Sequence, residues 1–179
     1  MPSLLPLVLS LFNNAMTFIQ ALAAASLTLA IAATAFSQPL ATKRALTLEA
    51  AKKIAAAAEA EALKNKWTMY ITIVDDSGTP LYIERIDDTQ LGSFQVSIDK
   101  ARSAVLFKRP TKAFEDQVAG GRTVVLKLPG ALPVEGGVPL MADGKVIGAI
   151  GVSGGTSAQD GQVAQVAVAA LEALLKGAK

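Results

Sequence analysis

Histidine and cysteine are both absent from the 179 residues. Without histidine the chain lacks the commonest general base near neutral pH and the commonest protein ligand for a metal ion. Without cysteine, disulfides, iron–sulfur clusters and thiolate metal sites are excluded, although the compartment is left open. Charge is missing altogether before Lys43, and the formal net charge is only +2. No cluster of Lys and Arg interleaves with aromatics, so nucleic acid is not an expected partner. The paired acids Asp75-Asp76 and Asp87-Asp88 fall at turns, where aspartate is favoured for its backbone hydrogen bonds. They lack the spaced ligands of a calcium loop, so no metal site is read.

The uncharged start is an apolar stretch. Met16 to Ser37 is rich in alanine and ends in small residues, with Ala33-Thr34-Ala35 as one cleavage signal and Ser37 as a second stop. Residues 1–37 are therefore read as a signal peptide, with Met16 as an alternative start because Pro2 and Pro6 break the preceding run and no positive n-region precedes it. A membrane anchor is the competing reading, since the run is long enough to span a bilayer. The signal peptide is favoured because Gln38-Pro39 follows at the expected place. On this reading the mature protein is periplasmic or secreted, with no stable membrane insertion. Residues 38–45 form a linker and residues 46–179 a single domain.

Within that domain, Thr47 is a suitable N-cap for an alanine-rich helix over Leu48–Lys64, with Leu48, Ala51, Ala55, Ala58 and Ala62 on one stripe. Trp67–Val74 and Leu81–Ile86 alternate as strands around the turn at Asp75–Gly78. A long helix follows, its buried stripe set by Phe94, Ile98, Ala101 and Val105, with Lys100 and Arg102 on its flanks. Thr111–Val118 suits a short helix, and Thr123–Leu128 a short strand or extended segment. A final helix runs through Ala158–Leu175, with Val163, Val166, Ala170, Leu171 and Leu174 inward. Hairpins interleaved with long helices predict an α+β fold, an antiparallel sheet covered by helices.

The stretch Gly136–Asp160 concentrates the remaining signals. Asp143-Gly144 suits a type I′ hairpin turn, and Gly148 and Gly151 in the return strand mark close approach by a backbone, a helix or a ligand. Ser157, with Asp160 three residues on, has capping-box spacing. The run GGVPL…DGKVIGAIGVSGG…QD, with DKARSAV at Asp99–Val105 upstream, resembles the GlcG/HbpS family of haem-binding-type domains. It is also similar to the C-terminal domain of PduO-type proteins. The resemblance covers about Leu46 to Leu174 and implies a profilin-like fold, assembly into homo-oligomers, and haem or another tetrapyrrole as ligand.

Two chemistries compete at this stretch. In the first, Gly136, Gly137, Ser153, Gly154 and Gly155 form a cradle for a small-molecule ligand, with backbone N–H groups and the following helix N-terminus holding an acidic group. Lys100 and Arg102 then pair with carboxylates of a tetrapyrrole or small organic acid. Axial ligation of a haem iron would fall to Tyr82, Tyr70, Met69, Met141 or a lysine. In the second, Gly151-Val152-Ser153-Gly154-Gly155 matches the nucleophile-elbow pattern, and Ser153 is a hydrolase nucleophile with Lys100, Lys127 or Lys145 as base. A ligand-free oligomeric scaffold is a third reading. The first, non-catalytic reading is the expectation, with no catalytic residue assigned.

Overall fold

The computed structural model describes residues 40–177. The chain divides into two compact units, Met1–Thr42 and Lys43–Lys179. The expected signal peptide and the alternative start at Met16 lie outside the described residues. Among the described residues, all regular structure belongs to the second unit.

Helix α1, Leu48–Lys64, has the bounds that its alanine content and cap predict. Thr47 accepts a hydrogen bond from the Ala50 amide at 3.2 Å, satisfying one of the donors a helix start leaves open. Its buried face is Ala51, Ile54, Ala55, Ala58 and Ala62, whereas Leu48, expected on that face, is half exposed. Leu46, just before the cap, is buried instead. Strands β1 (Tyr70–Asp75) and β2 (Pro80–Arg85) form the first hairpin. The Asp75 carboxylate closes its turn by accepting from the amides of Ser77 and Thr79, both at 2.9 Å.

Helix α2 (Ser93–Phe107), short helix α3 (Lys112–Ala119), strands β3 (Gly137–Ala142) and β4 (Lys145–Ser153), and helix α4 (Ser157–Gly177) complete the order. Asp143 and Gly144 turn the second hairpin with φ of 49° and 73°, as a type I′ turn requires. One expectation fails: Thr123–Lys127 is a 3-10 helix, not a strand. Its β-branched composition favours a strand, but among the described residues no strand lies beside it. The backbone therefore bonds locally, Leu128 N–H to the Val125 carbonyl at 3.1 Å.

The sheet is antiparallel throughout, in the order β2-β1-β4-β3. Helices α1 and α4 pack on one face and α2 on the other, giving an α+β fold in three layers. The larger core lies under α1 and α4, where Ile54, Ile71, Ile73, Leu140, Ile150 and Val152 are wholly buried. Each contributes about 1.5–3 kcal/mol by leaving water. The alanines of α1 meet α4 in this layer, so the small-residue stripe is used within the domain. On α4, Ala164 and Ala167 are buried and Val166 and Ala170 only half buried, a small rotation from the expected stripe.

The α2 face is thinner and more polar. Val74, Ala101, Ala104, Val105 and Ala149 form its apolar core, and the hydroxyls of Thr72 and Ser97 bond across it at 2.7 Å. Phe94, expected in this stripe, is half exposed and meets Tyr70 edge-on, with ring centroids 5.6 Å apart. What lets α2 sit so close is Gly151. A Cβ there would lie 2.6 Å from the Ala101 nitrogen and closer still to the Ser97 carbonyl oxygen. The neighbour that comes near is thus a helix backbone.

A Gly151→Ala substitution is expected to lower stability by about 2–3 kcal/mol, since neither backbone can yield without moving α2. Gly92→Ala, at the start of α2 where nothing lies within 4 Å, should be neutral or slightly stabilising. Urea unfolding of both variants checks the contrast, and equal losses would contradict the packing described.

Candidate functional site

Lys100 is carried by α2 toward the sheet, and it is the largest fully buried side chain among the described residues. Its ammonium donates to the Asp160 carboxylate at 2.6 Å and to the Val152 carbonyl at 3.0 Å. This corrects the placement of Lys100 on a solvated flank. A lysine in a helical pattern normally reaches water, but here α2 presses on the sheet and the stem runs inward. Gly136 leaves the space for it: a Cβ there would come 2.8 Å from the Asp160 Cβ and 2.9 Å from the Lys100 Nζ. Gly137 is pressed by the Lys100 backbone carbonyl and donates its N–H to the buried Thr111 hydroxyl at 2.9 Å. Thr111 was not singled out in the sequence, where it reads only as a helix start.

Asp160 completes the knot from the first turn of α4. Its second oxygen accepts from the Gly155 amide at 3.0 Å. The capping box is shifted by one residue from the expected Ser157–Asp160 pair. The Thr156 amide donates to the Gln159 side chain at 2.9 Å, and the Gln159 amide donates to the Thr156 hydroxyl at 3.3 Å. Gln159 is the usual residue type for the third position, which leaves Asp160 to face inward. Burial pushes the Asp160 carboxyl above the ordinary aspartate range, while Lys100 and the amides of Gly155 and Gly154 hold it down. The anion cradle anticipated from the glycine loop is thus present, and the protein's own carboxylate occupies it.

The other expected site residues are dispersed. Ser153 ends β4, only 5% exposed, opposite Tyr70 in the ladder. Of its three candidate bases, Lys100 is committed to Asp160 and Val152, Lys145 begins the nine-residue β4 at the opposite end from Ser153, and Lys127 lies on the exposed 3-10 turn. Arg102 reaches the other end of the sheet, where its Nε donates to the Gly78 carbonyl at 3.0 Å. Tyr82 is on the edge strand β2, two residues from Glu84 on the same face. Burial, the Glu84 charge and Glu59 raise the Tyr82 hydroxyl; burial and Glu59 raise Glu84 above the usual glutamate range.

The open space beside the β3–β4 hairpin is at its tip. A cavity of about 520 Å³ has an apolar wall of Val105, Met141 and Val146. Its rim carries Lys43, Lys108 and Lys145, with Asp76 ion-paired to Lys43. Sequence reasoning missed this grouping because its cations come from three separated segments. Lys145 enters the sequence reading only as a candidate base. Among the described residues, no group of three or more acidic side chains is placed to hold a metal ion, and no helix is long and apolar enough to cross a membrane.

Comparison with known proteins places this architecture. Residues 46–169 match the family model described as haem degrading protein HbpS-like. The chain is 45% identical to protein GlcG of Escherichia coli strain K12 over 112 residues, which is 63% of this chain and 84% of that protein. The crystal structure of protein ORFY from Klebsiella pneumoniae superposes with a TM-score of 0.71 at 32% identity, covering 78% of this chain and 99% of that one. The PduOC:heme complex superposes with a TM-score of 0.65 at 31% identity, covering 71% of this chain and 95% of that one.

Two outcomes follow from the electrostatics. Lys100→Met or Asp160→Asn alone should cost about 3–5 kcal/mol, because each leaves a buried charge or polar group unpaired. Lys100→Met with Asp160→Leu should cost clearly less than the sum, and strict additivity in urea unfolding would contradict the pairing. For Glu84 the folded pKa lies above its unfolded value, so the fold favours the protonated acid. Stability from this group is present at low pH and is lost as pH rises through the folded pKa. Glu84→Gln should therefore be more stable than wild type at pH 7, with the gap closing below about pH 4.5. Thermal melts from pH 4 to 8 read this, and a pH-independent gap would contradict it.

Proposed function

The chain belongs to the haem degrading protein HbpS-like family, and we propose that it is an exported, non-catalytic binding protein for a small acidic ligand, haem or another tetrapyrrole or a small organic acid. The observation that carries this reading is the cavity at the hairpin tip, which joins an apolar wall to a cationic rim. Such a lining suits a molecule with a greasy body and acidic groups. The bound heme in the PduOC structure supports a tetrapyrrole as one such molecule.

The residues present fit haem at this tip better than at the glycine end. Met69 is wholly buried in the core, Tyr70 is covered by Phe94 and faced by Arg85, and Tyr82 lies on the edge strand β2, away from the cavity lining. Met141 is 43% exposed and opens on the cavity, so its thioether is the donor of choice for an iron. Lys108 and Lys145 would meet the carboxylates. When bound, haem would supply a redox-active iron; this chain's part is to seat the macrocycle on Val105 and Val146 and to neutralise its acids.

The non-catalytic reading draws support from Lys100, whose ammonium is committed to an internal ion pair and so does not serve Ser153 as a base. Export rests on the apolar run ending at Ser37. Self-association is part of the proposal, and the exposed Phe94 and Leu106 of α2, with the exposed Leu91 just before it, are the residues that favour it.

A haem titration followed by absorption spectroscopy tests the reading on wild type, Met141→Ala, Lys100→Ala and Tyr82→Phe. Saturable binding with a sulfur-ligated spectrum, lost in Met141→Ala and kept in Tyr82→Phe, is expected. A linear titration unchanged by every substitution would overturn haem as ligand. Sequencing the N-terminus of exported material should give a start at Phe36 or Gln38, and light scattering on it should show more than a monomer. An uncleaved leader in membranes, or a clean monomer, would remove the corresponding element.

A further inference from the structure

A second opening lies on the outer side of α2, and it shares no lining residue with the cavity at the hairpin tip. Asp99, Arg102 and Leu106 form one wall, a single stripe of the helix at i, i+3 and i+7. Gly130, Ala131 and Leu132 form the other. That loop is tied to the helix, because the Leu132 N–H donates to the buried Ser103 hydroxyl at 3.0 Å. The space between the walls is about 350 Å³, which suits a small molecule. An aspartate and an arginine three residues apart on a helix commonly pair. Here neither enters an ion pair among the described residues. Asp99 accepts from the neutral Gln95 amide at 2.9 Å, and the Arg102 Nε donates to the neutral Gly78 carbonyl at 3.0 Å. The stem of Arg102 also lies against Gly78, where a Cβ would be 3.4 Å from the arginine Cγ. The arginine is thus held in place through Nε, which leaves the two-pronged end of its guanidinium to recognise a carboxylate. Two opposite charges stand apart on the same wall as Leu106, a leucine that is 58% exposed.

We infer that this cleft binds a small zwitterion with an apolar side chain, an α-amino acid of the leucine type. Its carboxylate meets Arg102, its ammonium meets Asp99, and its side chain covers Leu106 and Leu132. The match is one of spacing as well as sign. Side chains three apart on a helix are neighbours, with about 5–6 Å between their Cβ atoms, and an α-amino acid carries its two charges on one carbon. A purely acidic ligand would leave Asp99 facing a like charge, and a purely basic one would do the same to Arg102. The site is a second one, separate from the small-acid cavity of the proposed function, and either stands without the other.

Isothermal titration calorimetry on the full chain at low ionic strength tests this with four probes: L-leucine, isovalerate, isoamylamine and glycine. Isovalerate lacks the ammonium, isoamylamine the carboxylate and glycine the apolar side chain. Leucine should saturate, and each of the other three should bind roughly three- to tenfold more weakly. Asp99→Asn should lower leucine to about the level of isovalerate while leaving isovalerate as tight as before or tighter. Arg102→Gln should weaken leucine and isovalerate by roughly three- to tenfold and spare isoamylamine. These opposite selectivities separate a lost contact from a disturbed fold, which would weaken every probe alike. Asp99→Asn keeps the shape of the side chain, so its urea midpoint should match wild type. No saturation with leucine overturns the inference, and a cleft closed by a second copy across Leu106 would read in that way. Equal affinity for leucine and isovalerate in wild type, or leucine binding unchanged in both variants, overturns it as well.

Discussion

Everything at one end of this domain hangs on a single desolvated ion pair. Lys100 leaves α2, passes through the opening that Gly136 provides, and meets Asp160 on α4 at 2.6 Å. The two helices cover opposite faces of the sheet, so the pair bridges all three layers, and the Val152 carbonyl joins β4 to it. Two charges taken out of water cost several kcal/mol each, which attraction offsets only when the remaining hydrogen-bonding capacity is filled. Here each partner has one further hydrogen bond, the ammonium to the Val152 carbonyl and the carboxylate from the Gly155 amide. The arrangement fixes geometry more than it adds net stability. It dictates how close α2 lies, where the glycine loop runs and which residue begins α4.

The layers were readable in the sequence because each rests on a local rule. An N-cap threonine before an alanine run, an Asp-Gly pair between alternating strands and a glycine-marked return strand each need few neighbours to act. The ion pair was not readable for the opposite reason. Lys100 and Asp160 are 60 residues apart, and a lysine on a helix carries no local mark of burial. Thr123–Lys127 shows the same limit from the other side: its composition fits a strand, and only the absence of a neighbouring strand makes it a 3-10 helix. The capping register slipped because Ser157 and Thr156 are both acceptable caps, and Gln159 decides between them only through its reciprocal bond.

The same division runs through the site. The glycine loop and the family-like DKARSA segment were found, and they do meet in space. Their meeting is internal, since the amides that resemble an anion cradle hold Asp160. The solvent-facing counterpart is at the other end of the β3–β4 hairpin, assembled from residues that no motif joins. A conspicuous sequence pattern thus marks how the fold is locked, and a pattern-free cluster marks where a ligand has room.

The sheet order has one more consequence. It places β2 and β3 on the two rims, and each contains a proline, Pro80 and Pro139. A proline offers no N–H to an incoming strand, and β2 adds the adjacent charges of Glu84 and Arg85. Both rims are therefore poor templates for another chain's backbone. Ribbon-to-ribbon growth, the ordinary route from an open four-stranded sheet to fibrous aggregates, is blunted at both exits, and whatever association this domain undergoes is steered onto side chains.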